Sequence, residues 1–269
     1  MRPLTRHRAP APRRGASAVP RRALVTGATE GIGRALALAL ATDGYAVTAV
    51  ARTEERLREL TSLLGPGHDH LAADLSTPEG IRAVAAALED AGHDADSGPY
   101  DLLVNNAGLA RPGPFATTAL DAQLPVLRLH CDAVTALSHA FLGTARPGAA
   151  LVNVASTLGL TPQPGQALYS ASKAFVVSFS QALWHEHRPR DVYVTALCPG
   201  PTATRPGLHA DAPARLVLTP ERVAAATLAA LRRRHDPVVV PGRLTALVTA
   251  ATRALPRRTA LALLAGAPA

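Results

Sequence analysis

A tyrosine and a lysine four residues apart form a candidate acid–base pair. Tyr169 and Lys173 bound the segment Tyr-Ser-Ala-Ser-Lys, early in a stretch with a helical pattern, so both side chains lie on one face. A free tyrosine has a pKa near ~10, and a neighbouring ammonium lowers that pKa by favouring the phenolate. Such a phenol can protonate a carbonyl oxygen or take a proton from an alcohol. Ser156 follows a predicted strand and can present its hydroxyl to the same substrate oxygen.

The composition of the chain also draws attention to this lysine. Of 28 basic residues, Lys173 is the one lysine and the others are arginines. A compact ammonium and a planar guanidinium are not interchangeable, so we expect Lys173 to lie where an ammonium is required. The alternative is an ordinary surface pair of tyrosine and lysine.

A glycine-rich turn joins the first predicted strand to the first predicted helix. Its glycines are Gly27, Gly31 and Gly33, and their spacing differs from the Gly-x-Gly-x2-Gly of the commoner dinucleotide fingerprint. Glycine permits positive φ and lets the backbone approach a pyrophosphate, while the helix N-terminus offers free N–H groups. The alternative is an ordinary tight turn between a strand and a helix.

The end of the second predicted strand bears on the choice of dinucleotide. The strand Ala46–Ala51 is followed by Arg52 and carries no acidic residue at its tip. A carboxylate there would bind the ribose 2′-hydroxyl of NAD, whereas an arginine suits the 2′-phosphate of NADP. We therefore favour NADP over NAD. In the alternative, Arg52 is solvated or pairs with Glu54 or Glu55.

The elements that must position these residues alternate between short strands and longer helices from Arg21 onward. Strands alternating with helices at this spacing imply βαβ units and a parallel sheet with helices on both faces. Right-handed crossovers favour a doubly wound arrangement, in which ligands bind beyond the carboxyl ends of the strands. The candidate residues all lie there. The predicted strands are Ala23–Thr26, Ala46–Ala51, His70–Ala73, Leu102–Val104, Ala150–Val154, Val192–Leu197 and Val238–Val240, and the predicted helices are Ile32–Thr42, Glu54–Leu64, Pro78–Ala91, about Leu120–Phe141, Ala167–Glu186 and Glu221–Arg234.

Together these motifs resemble the short-chain dehydrogenase/reductase family. TGATEGIG at 26–33, NNAG at 105–108, Ser156 with Tyr169 and Lys173, and PG at 199–200 occur in the family's order over about residues 21–240. The resemblance implies one α/β domain, a three-layer doubly wound Rossmann fold with a seven-stranded parallel sheet, that binds a nicotinamide cofactor and assembles as a homodimer or homotetramer. It implies Tyr169 as general acid/base, Ser156 as a donor to the substrate oxygen, and Lys173 as the residue that holds the nicotinamide ribose and lowers the tyrosine pKa.

The resemblance also implies where the cofactor binds. It places Asp74 near the adenine, Asn105 behind the cofactor, and the backbone from Pro199 to Thr204 near the carboxamide. No metal site is expected. The expected cofactor-binding residues are Gly27, Thr29, Glu30, Gly31, Ile32, Gly33, Arg52, Asp74, Leu75, Asn105, Ala107, Gly108, Tyr169, Lys173, Pro199, Gly200, Thr202 and Thr204.

One position departs from the family pattern. The family has an asparagine in the long helix before the serine strand, where this chain has His130, and none of the chain's three asparagines lies there. In the family that residue helps to hold a water linked to the lysine, partly through its main-chain carbonyl, and a backbone role survives substitution. We include His130 among the candidate catalytic residues. It either extends a proton relay, since histidine titrates near neutrality, or only packs and hydrogen-bonds.

The N-terminal residues differ from the rest of the chain. Residues 1–20 are rich in arginine, proline and alanine, and we expect a disordered leader, with a targeting presequence as the alternative. Residues 1–22 carry seven arginines and no acid, which leaves 21 basic and 20 acidic residues elsewhere. The basicity therefore belongs to the tail, and with 3% aromatic residues nucleic-acid binding has little support.

The C-terminal residues form a second distinct segment after the oxidoreductase domain, which we place at residues 21–243. Residues 244–269 form an apolar, helical extension with three arginines. It can cover the substrate cleft, pack on its own or a neighbouring subunit, or make a peripheral membrane contact. No run in the chain reaches the 18 or more apolar residues of a membrane span.

The sequence thus predicts an NADP-dependent oxidoreductase that interconverts a carbonyl and an alcohol on a small, mostly apolar substrate. The alternative is a non-catalytic NADP-binding sensor or scaffold with the same fold. Cys131 and Cys198 cannot form a disulfide framework, which favours a reduced, cytoplasmic setting. The identity of the substrate and the direction of the reaction do not follow from a fold.

Overall fold

Seven strands and nine α-helices lie along residues 20–94, 98–205 and 213–265, the part of the chain that this computed structural model describes. The predicted leader lies outside these residues except for Pro20. The strands are β1 (Arg21–Thr26), β2 (Tyr45–Ala51), β3 (Asp69–Ala72), β4 (Leu102–Asn105), β5 (Ala150–Val154), β6 (Tyr193–Leu197) and β7 (Val238–Val239). The α-helices are α1 (Gly31–Thr42), α2 (Glu54–Leu64), α3 (Pro78–His93), α4 (Leu120–Leu127), α5 (Ala133–Thr144), α6 (Ala167–His187), α7 (Pro220–Arg233), α8 (Arg243–Ala254) and α9 (Arg257–Ala265).

The strands form one parallel sheet in the order β3-β2-β1-β4-β5-β6-β7, which confirms the predicted seven-stranded, doubly wound arrangement. The chain builds outward from β1 to β3 and then returns to place β4 on the other side of β1. The strand order therefore reverses between β1 and β4, and the loops that leave these two strands diverge at the carboxyl edge of the sheet. In open α/β sheets ligands bind in the crevice at this point.

The sheet is buried on both faces because helices cover each side, so its central strands are continuously apolar. Along β1, Ala23 and Val25 face the layer formed by α1, α2 and α7. Leu24, between them, faces the opposite layer and packs in one cluster with Leu103 of β4 and Phe141 of α5. The alternation along β1 thus joins two hydrophobic cores into a three-layer domain. Among the helices described, none has the length and apolar character that crossing a membrane requires.

The helical stretch predicted at about Leu120–Phe141 is divided by a π-helical turn. Helix α4 continues through Pro125 and ends at Leu127, the π turn covers Arg128–Asp132, and α5 follows directly. π-Helical turns occur mostly as single turns within α-helices, frequently at functional sites. Here the turn carries His130, whose side chain is completely buried.

Candidate active site

The ends of β1 and β4 are joined by a threonine and an asparagine. The Thr26 Oγ1 atom accepts the backbone N–H groups of Asn106 and Ala107, each at 2.9 Å, and the Asn106 side-chain amide donates to the Thr26 carbonyl at 2.8 Å. Thr26 is buried. This junction fixes the glycine-rich turn relative to the segment after β4. The residues predicted from the sequence to form the site did not include Asn106. The pair of consecutive asparagines at the end of a predicted strand could have indicated it.

The glycine-rich turn packs too tightly for side chains at its three glycines. Gly27 and Gly31 have φ values of +64° and +53°, and a Cβ at Gly33 would overlap the Gly27 carbonyl oxygen and the Asn106 side chain. A Cβ at Gly31 would lie 2.9 Å from the side chain of Thr204, so the loop after β6 closes over this turn. Glu30 precedes α1 without a side-chain capping bond. The N–H groups of the first turn therefore remain available to an anionic ligand such as a diphosphate.

At the end of β2, the structure leaves the side chain of Arg52 exposed. Within the described residues no ion pair involves Arg52, and Glu54 pairs instead with Arg58 at 2.9 Å and with the His70 Nε2 atom at 3.1 Å. Neither of the pairings that the sequence left open, with Glu54 or with Glu55, is therefore formed. The guanidinium of Arg52 is available for an anionic ligand.

Two further arginines lie near the same end of the crevice. A surface groove beside the glycine-rich turn is lined by Thr29, Arg34 and Arg56, together with Glu59 and Leu60. Sequence reasoning missed these arginines because they lie on α1 and α2, and only the packing of the two helices brings them beside Thr29.

The carboxylate of Glu30 lies at the same end and is paired with arginines on two sides. Its oxygens lie 2.7 Å from Arg205 and 4.0 Å from Arg56. All three side chains are at least half exposed, so the pairs are worth little in stability. The two arginines offset the negative charge of Glu30, which is the one acidic side chain in a turn that is open to an anion.

The residues expected near the adenine and behind the cofactor have protein partners of their own. The Asp74 carboxylate accepts the N–H and the hydroxyl of Ser76, at 2.9 and 2.7 Å, and thereby shapes the turn before α3. The side chain of Leu75 is buried in the core. The buried Asn105 amide donates to the Asn153 Oδ1 atom at 2.9 Å, while the Asn105 Oδ1 atom has no hydrogen-bond donor among the residues described. An unpaired buried acceptor is costly, and it fits a site that is completed by a ligand.

The loop after β6 contacts the segment that follows β5. The Pro199 carbonyl accepts the N–H of Thr157 at 3.0 Å, which ties the loop to the segment that carries the candidate catalytic serine. The Thr202 hydroxyl donates to the Gly200 carbonyl at 2.9 Å. Residues 206–212 of the loop expected to line the substrate pocket lie outside the described residues. The remaining expected cofactor contacts are Ile32 and Ala107, both partly buried against the two hydrophobic cores.

Ser156 and Tyr169 meet at the carboxyl edge of the sheet. Ser156 follows β5, and its Oγ atom accepts the N–H of Leu158 at 3.1 Å. Tyr169 lies in the first turn of α6. Burial raises the pKa of the Tyr169 phenol, and the hydrogen bond with Ser156 acts in the opposite direction. The close approach depends on Gly159, which sequence reasoning missed: a Cβ there would lie 2.6 Å from the backbone of α6.

Lys173 is buried below this pair. Its ammonium donates to the Val154 carbonyl at 2.8 Å and lies 5.8 Å from the centre of the Tyr169 ring. Burial lowers the pKa of Lys173 to about 8. The sequence-based expectation that the ammonium lowers the tyrosine pKa is not met in this structure, because desolvation of the phenol is the dominant effect and the ammonium is directed at a carbonyl.

The depressed pKa of Lys173 predicts a distinctive pH dependence of stability. A lysine with a pKa near 8 in the folded chain and ~10.4 when unfolded binds more protons when unfolded between these values, so the free energy of unfolding rises with pH across that window. Replacing Lys173 with methionine should remove this rise, which amounts to about 3 kcal/mol. Urea unfolding of both proteins from pH 7 to pH 10 measures it. Parallel curves for the two proteins would show that the ammonium is not destabilised by burial.

His130 connects the segment after β4 to the helix that carries Tyr169. Its Nε2 atom accepts the N–H of Leu109 at 3.2 Å, so its Nδ1 atom carries the proton and donates to the Ser172 hydroxyl at 2.9 Å. Ser172 in turn donates to the Tyr169 carbonyl at 2.8 Å, and the two rings meet edge to face at 5.5 Å. A Cβ at Gly108 would lie 3.0 Å from the Nε2 atom. Both ring nitrogens are thus occupied by protein groups.

This geometry favours the packing alternative for His130 over the proton relay. Burial, and secondarily the charge of Lys173, hold the pKa of His130 well below its usual value. The ring is therefore neutral near pH 7. The Nδ1 hydrogen of His130 is donated to Ser172, and the hydroxyl hydrogen of Ser172 is donated to the Tyr169 carbonyl. This series of hydrogen bonds ends at a carbonyl oxygen and therefore offers no route by which a proton could reach solvent.

The two alternatives for His130 predict different pH profiles. Asparagine at this position keeps a polar side chain but cannot titrate, so His130→Asn should preserve the shape of the kcat–pH profile. His130→Ala leaves a cavity and an unpaired Leu109 N–H, and should lower the free energy of unfolding by about 2–4 kcal/mol. Steady-state kinetics from pH 5 to pH 9 and urea unfolding test both expectations. Loss of one limb of the kcat profile in His130→Asn would support the relay instead.

Comparison with known proteins agrees with this arrangement. Residues 21–211 match the family model described as short chain dehydrogenase. The chain is 33% identical over 184 residues to the 3-oxoacyl-(acyl-carrier-protein) reductase of Haemophilus influenzae, covering 68% of this chain and 74% of that one. A short-chain dehydrogenase from Sphingobium yanoikuyae in complex with NADPH is similar in structure, with a TM-score of 0.75, 32% identity, and 86% and 91% of the two chains covered. The bulky-bulky ketone specific alcohol dehydrogenase from Comamonas testosteroni is also similar in structure, with a TM-score of 0.74 and 27% identity. The match covers 94% of this chain and 98% of that one.

Proposed function

Since the chain belongs to the short-chain dehydrogenase/reductase family, we propose that it is an NADP-dependent oxidoreductase that interconverts a carbonyl and an alcohol, with Tyr169 as the general acid/base. The observation that carries the proposal is the convergence of Ser156, Tyr169 and Lys173 at the carboxyl edge of the sheet, beside the crevice between β1 and β4. Ser156 lies at the end of a strand, and Tyr169 and Lys173 lie on one helix. Ser156 and Lys173 are buried and hydrogen-bonded to the backbone.

Each of the three residues has one role in the reaction. When bound, the dinucleotide supplies the hydride for reduction or accepts it in oxidation. Tyr169 donates its phenolic proton to the carbonyl oxygen in reduction and takes a proton from the alcohol in oxidation. Ser156 donates a hydrogen bond to the same substrate oxygen. Lys173, whose ammonium lies 5.8 Å from the centre of the Tyr169 ring, would hold the nicotinamide ribose, the role that the family resemblance implies.

The choice of NADP is supported by the end of β2. No carboxylate stands there, the Arg52 guanidinium has no ion-pair partner in the described ranges, and Arg56 lies one turn farther along the chain. An arginine cluster suits a 2′-phosphate, whereas binding NAD at this position uses a carboxylate. The structurally similar dehydrogenase from Sphingobium yanoikuyae was solved with NADPH. The diphosphate would lie on the glycine-rich turn, where the N–H groups of α1 point outward.

The proposed substrate is a small, mostly apolar ketone or aldehyde. The support is the Pro-, Ala- and Leu-rich composition of the loop at 201–219, together with the ketone specificity in the description of the similar enzyme from Comamonas testosteroni. We further propose that the enzyme acts in the cytoplasm as a homodimer or homotetramer, for which the unpaired Cys131 and Cys198 and the family resemblance are the support.

Steady-state kinetics with a panel of ketones and aldehydes test the proposal. We expect NADPH consumption in equal amount to the alcohol formed, with a lower kcat/KM when NADH replaces NADPH. The alternative function, an NADP-binding sensor or scaffold, predicts tight NADPH binding with no turnover of any member of the panel. Buffer without carbonyl substrate serves as the control for slow oxidation of the cofactor.

A further inference from the structure

Helix α8 is amphipathic, but it buries polar side chains and exposes apolar ones. Its buried residues are Thr245, Thr249 and Thr252, which face the body of the protein. Its leucines and its valine face outward, and Leu247 is 66% exposed. A surface helix in water normally buries its apolar side chains and exposes its polar ones. The outer face of α8 is therefore suited to an apolar environment.

Helix α9 also exposes leucine side chains. Only Ala260 of this helix is buried, while Leu261 is exposed and Leu263 is 62% exposed. Helices α8 and α9 contact each other across Pro256. We call the large exposed apolar residues of the two helices, together with Leu255 between them, the C-terminal apolar face. It consists of Leu244, Leu247, Val248, Leu255, Leu261 and Leu263.

The charged residues of α8 and α9 all have one sign. Arg243, Arg253, Arg257 and Arg258 are all exposed and lie on the same two helices. No aspartate or glutamate occurs in residues 237–269. Exposed leucines bordered by arginines, with no carboxylate, complement a surface that is apolar inside and negatively charged outside.

We propose that the C-terminal apolar face docks on the surface of a bilayer that contains anionic phospholipids. The leucines would enter the boundary between headgroups and acyl chains, and the arginines would bind the headgroup phosphates. A second copy of the chain fits less well, because a two-fold symmetric contact places a patch against itself. That contact would bring arginines against arginines, with no carboxylate on either helix to pair with them.

The docked segment adjoins the proposed substrate crevice. A Cβ at Gly200, in the loop after β6, would lie 2.6 Å from the Thr245 side chain, so α8 packs directly on that loop. Docking through α8 would therefore bring the crevice close to the membrane surface. This placement suits an apolar carbonyl substrate dissolved in the bilayer, although the docking itself does not depend on the proposed reaction.

Flotation of the full-length protein with lipid vesicles tests the proposal. The vesicles contain either phosphatidylcholine alone or a mixture of phosphatidylcholine and phosphatidylglycerol. The test variant is Leu247→Ser with Leu263→Ser. The matched control is Leu63→Ser, which changes a leucine that is 58% exposed on α2. All three proteins keep the seven arginines of residues 1–22, so binding through the tail is common to them.

We expect the wild type and Leu63→Ser to bind the anionic vesicles equally, and the double serine variant to bind at least about tenfold more weakly, because two leucine side chains no longer enter the bilayer. Arg257→Ala with Arg258→Ala should weaken binding roughly 30-fold, at about 1 kcal/mol for each charge near the surface. Equal binding of the double serine variant and the wild type would overturn the proposal. So would a wild type that does not bind, or one that forms an oligomer that the double serine variant cannot form. Turnover of a water-soluble ketone tests the proposed reaction separately. It should be the same in the wild type, in Leu63→Ser and in the double serine variant.

Discussion

Replacing Tyr169 with phenylalanine is expected to lower kcat by about 10²- to 10⁴-fold, the usual contribution of general acid–base catalysis. The substitution removes only the hydroxyl. The ring can keep its edge-to-face contact with His130, so NADPH affinity should remain nearly unchanged. Steady-state kinetics give kcat, and a fluorescence titration of the free protein gives the dissociation constant of NADPH.

Tyr100→Phe is the matched control for this substitution. The Tyr100 hydroxyl donates to the Thr48 Oγ1 atom at 3.0 Å, in the body of the domain. Its loss should alter stability slightly and leave kcat unchanged. Near-wild-type turnover in Tyr169→Phe would contradict the acid/base assignment, and equal losses in the two variants would point to general damage.

The second large effect is expected on the choice of cofactor. Arg52→Ala should weaken NADPH binding about 10- to 100-fold while NADH binding changes little, because a charge-assisted hydrogen bond contributes roughly 1.5–3 kcal/mol. The two cofactors differ only in the 2′-phosphate, so the ratio of their affinities cancels general effects on the fold. Titration of both cofactors against wild type and variant measures this ratio.

The chain offers a matched control and an opposite change for Arg52. Arg58→Ala removes an arginine that is already paired with Glu54, and the ratio should stay at the wild-type value. Ala51→Asp should favour NADH, since the carboxylate repels the phosphate and accepts from a free ribose hydroxyl. An unchanged ratio in Arg52→Ala, or a wild type that prefers NADH, would show that the 2′-phosphate is not bound at the end of β2.

Features that depend on short stretches of chain could be predicted from the sequence. The seven strands and the order of elements follow from local alternation of apolar runs and helical patterns. The glycine-rich turn follows from a spacing that only glycines satisfy, as the φ values of Gly27 and Gly31 and the packing of Gly33 show. Ser156, Tyr169 and Lys173 could be grouped because strand ends and the helix starts that follow them meet at one edge of a parallel sheet.

Features that depend on packing between distant segments could not be predicted from the sequence. The π-helical turn directs His130 inward, and no local pattern predicts whether a ring there meets solvent, a proton relay or the Leu109 N–H. The direction of the Tyr169 pKa shift depends on how deeply α6 buries the phenol, which the spacing to Lys173 does not reveal. Likewise, the sequence of α8 does not reveal that its threonines, and not its leucines, face the body of the protein, because this depends on how the helix packs in the folded structure.

Transfer of deuterium from NADPH that carries deuterium at both positions of the reactive carbon of the nicotinamide ring tests the central claim most directly. The purified protein is incubated with labelled NADPH and each carbonyl compound of the panel, and any alcohol formed is analysed by mass spectrometry. If the site catalyses hydride transfer with protonation by Tyr169, each alcohol molecule carries one deuterium at the carbinol carbon, and Tyr169→Phe forms almost none. Alcohol without deuterium, or NADPH binding without any alcohol, would contradict the assignment of this chain as a carbonyl reductase.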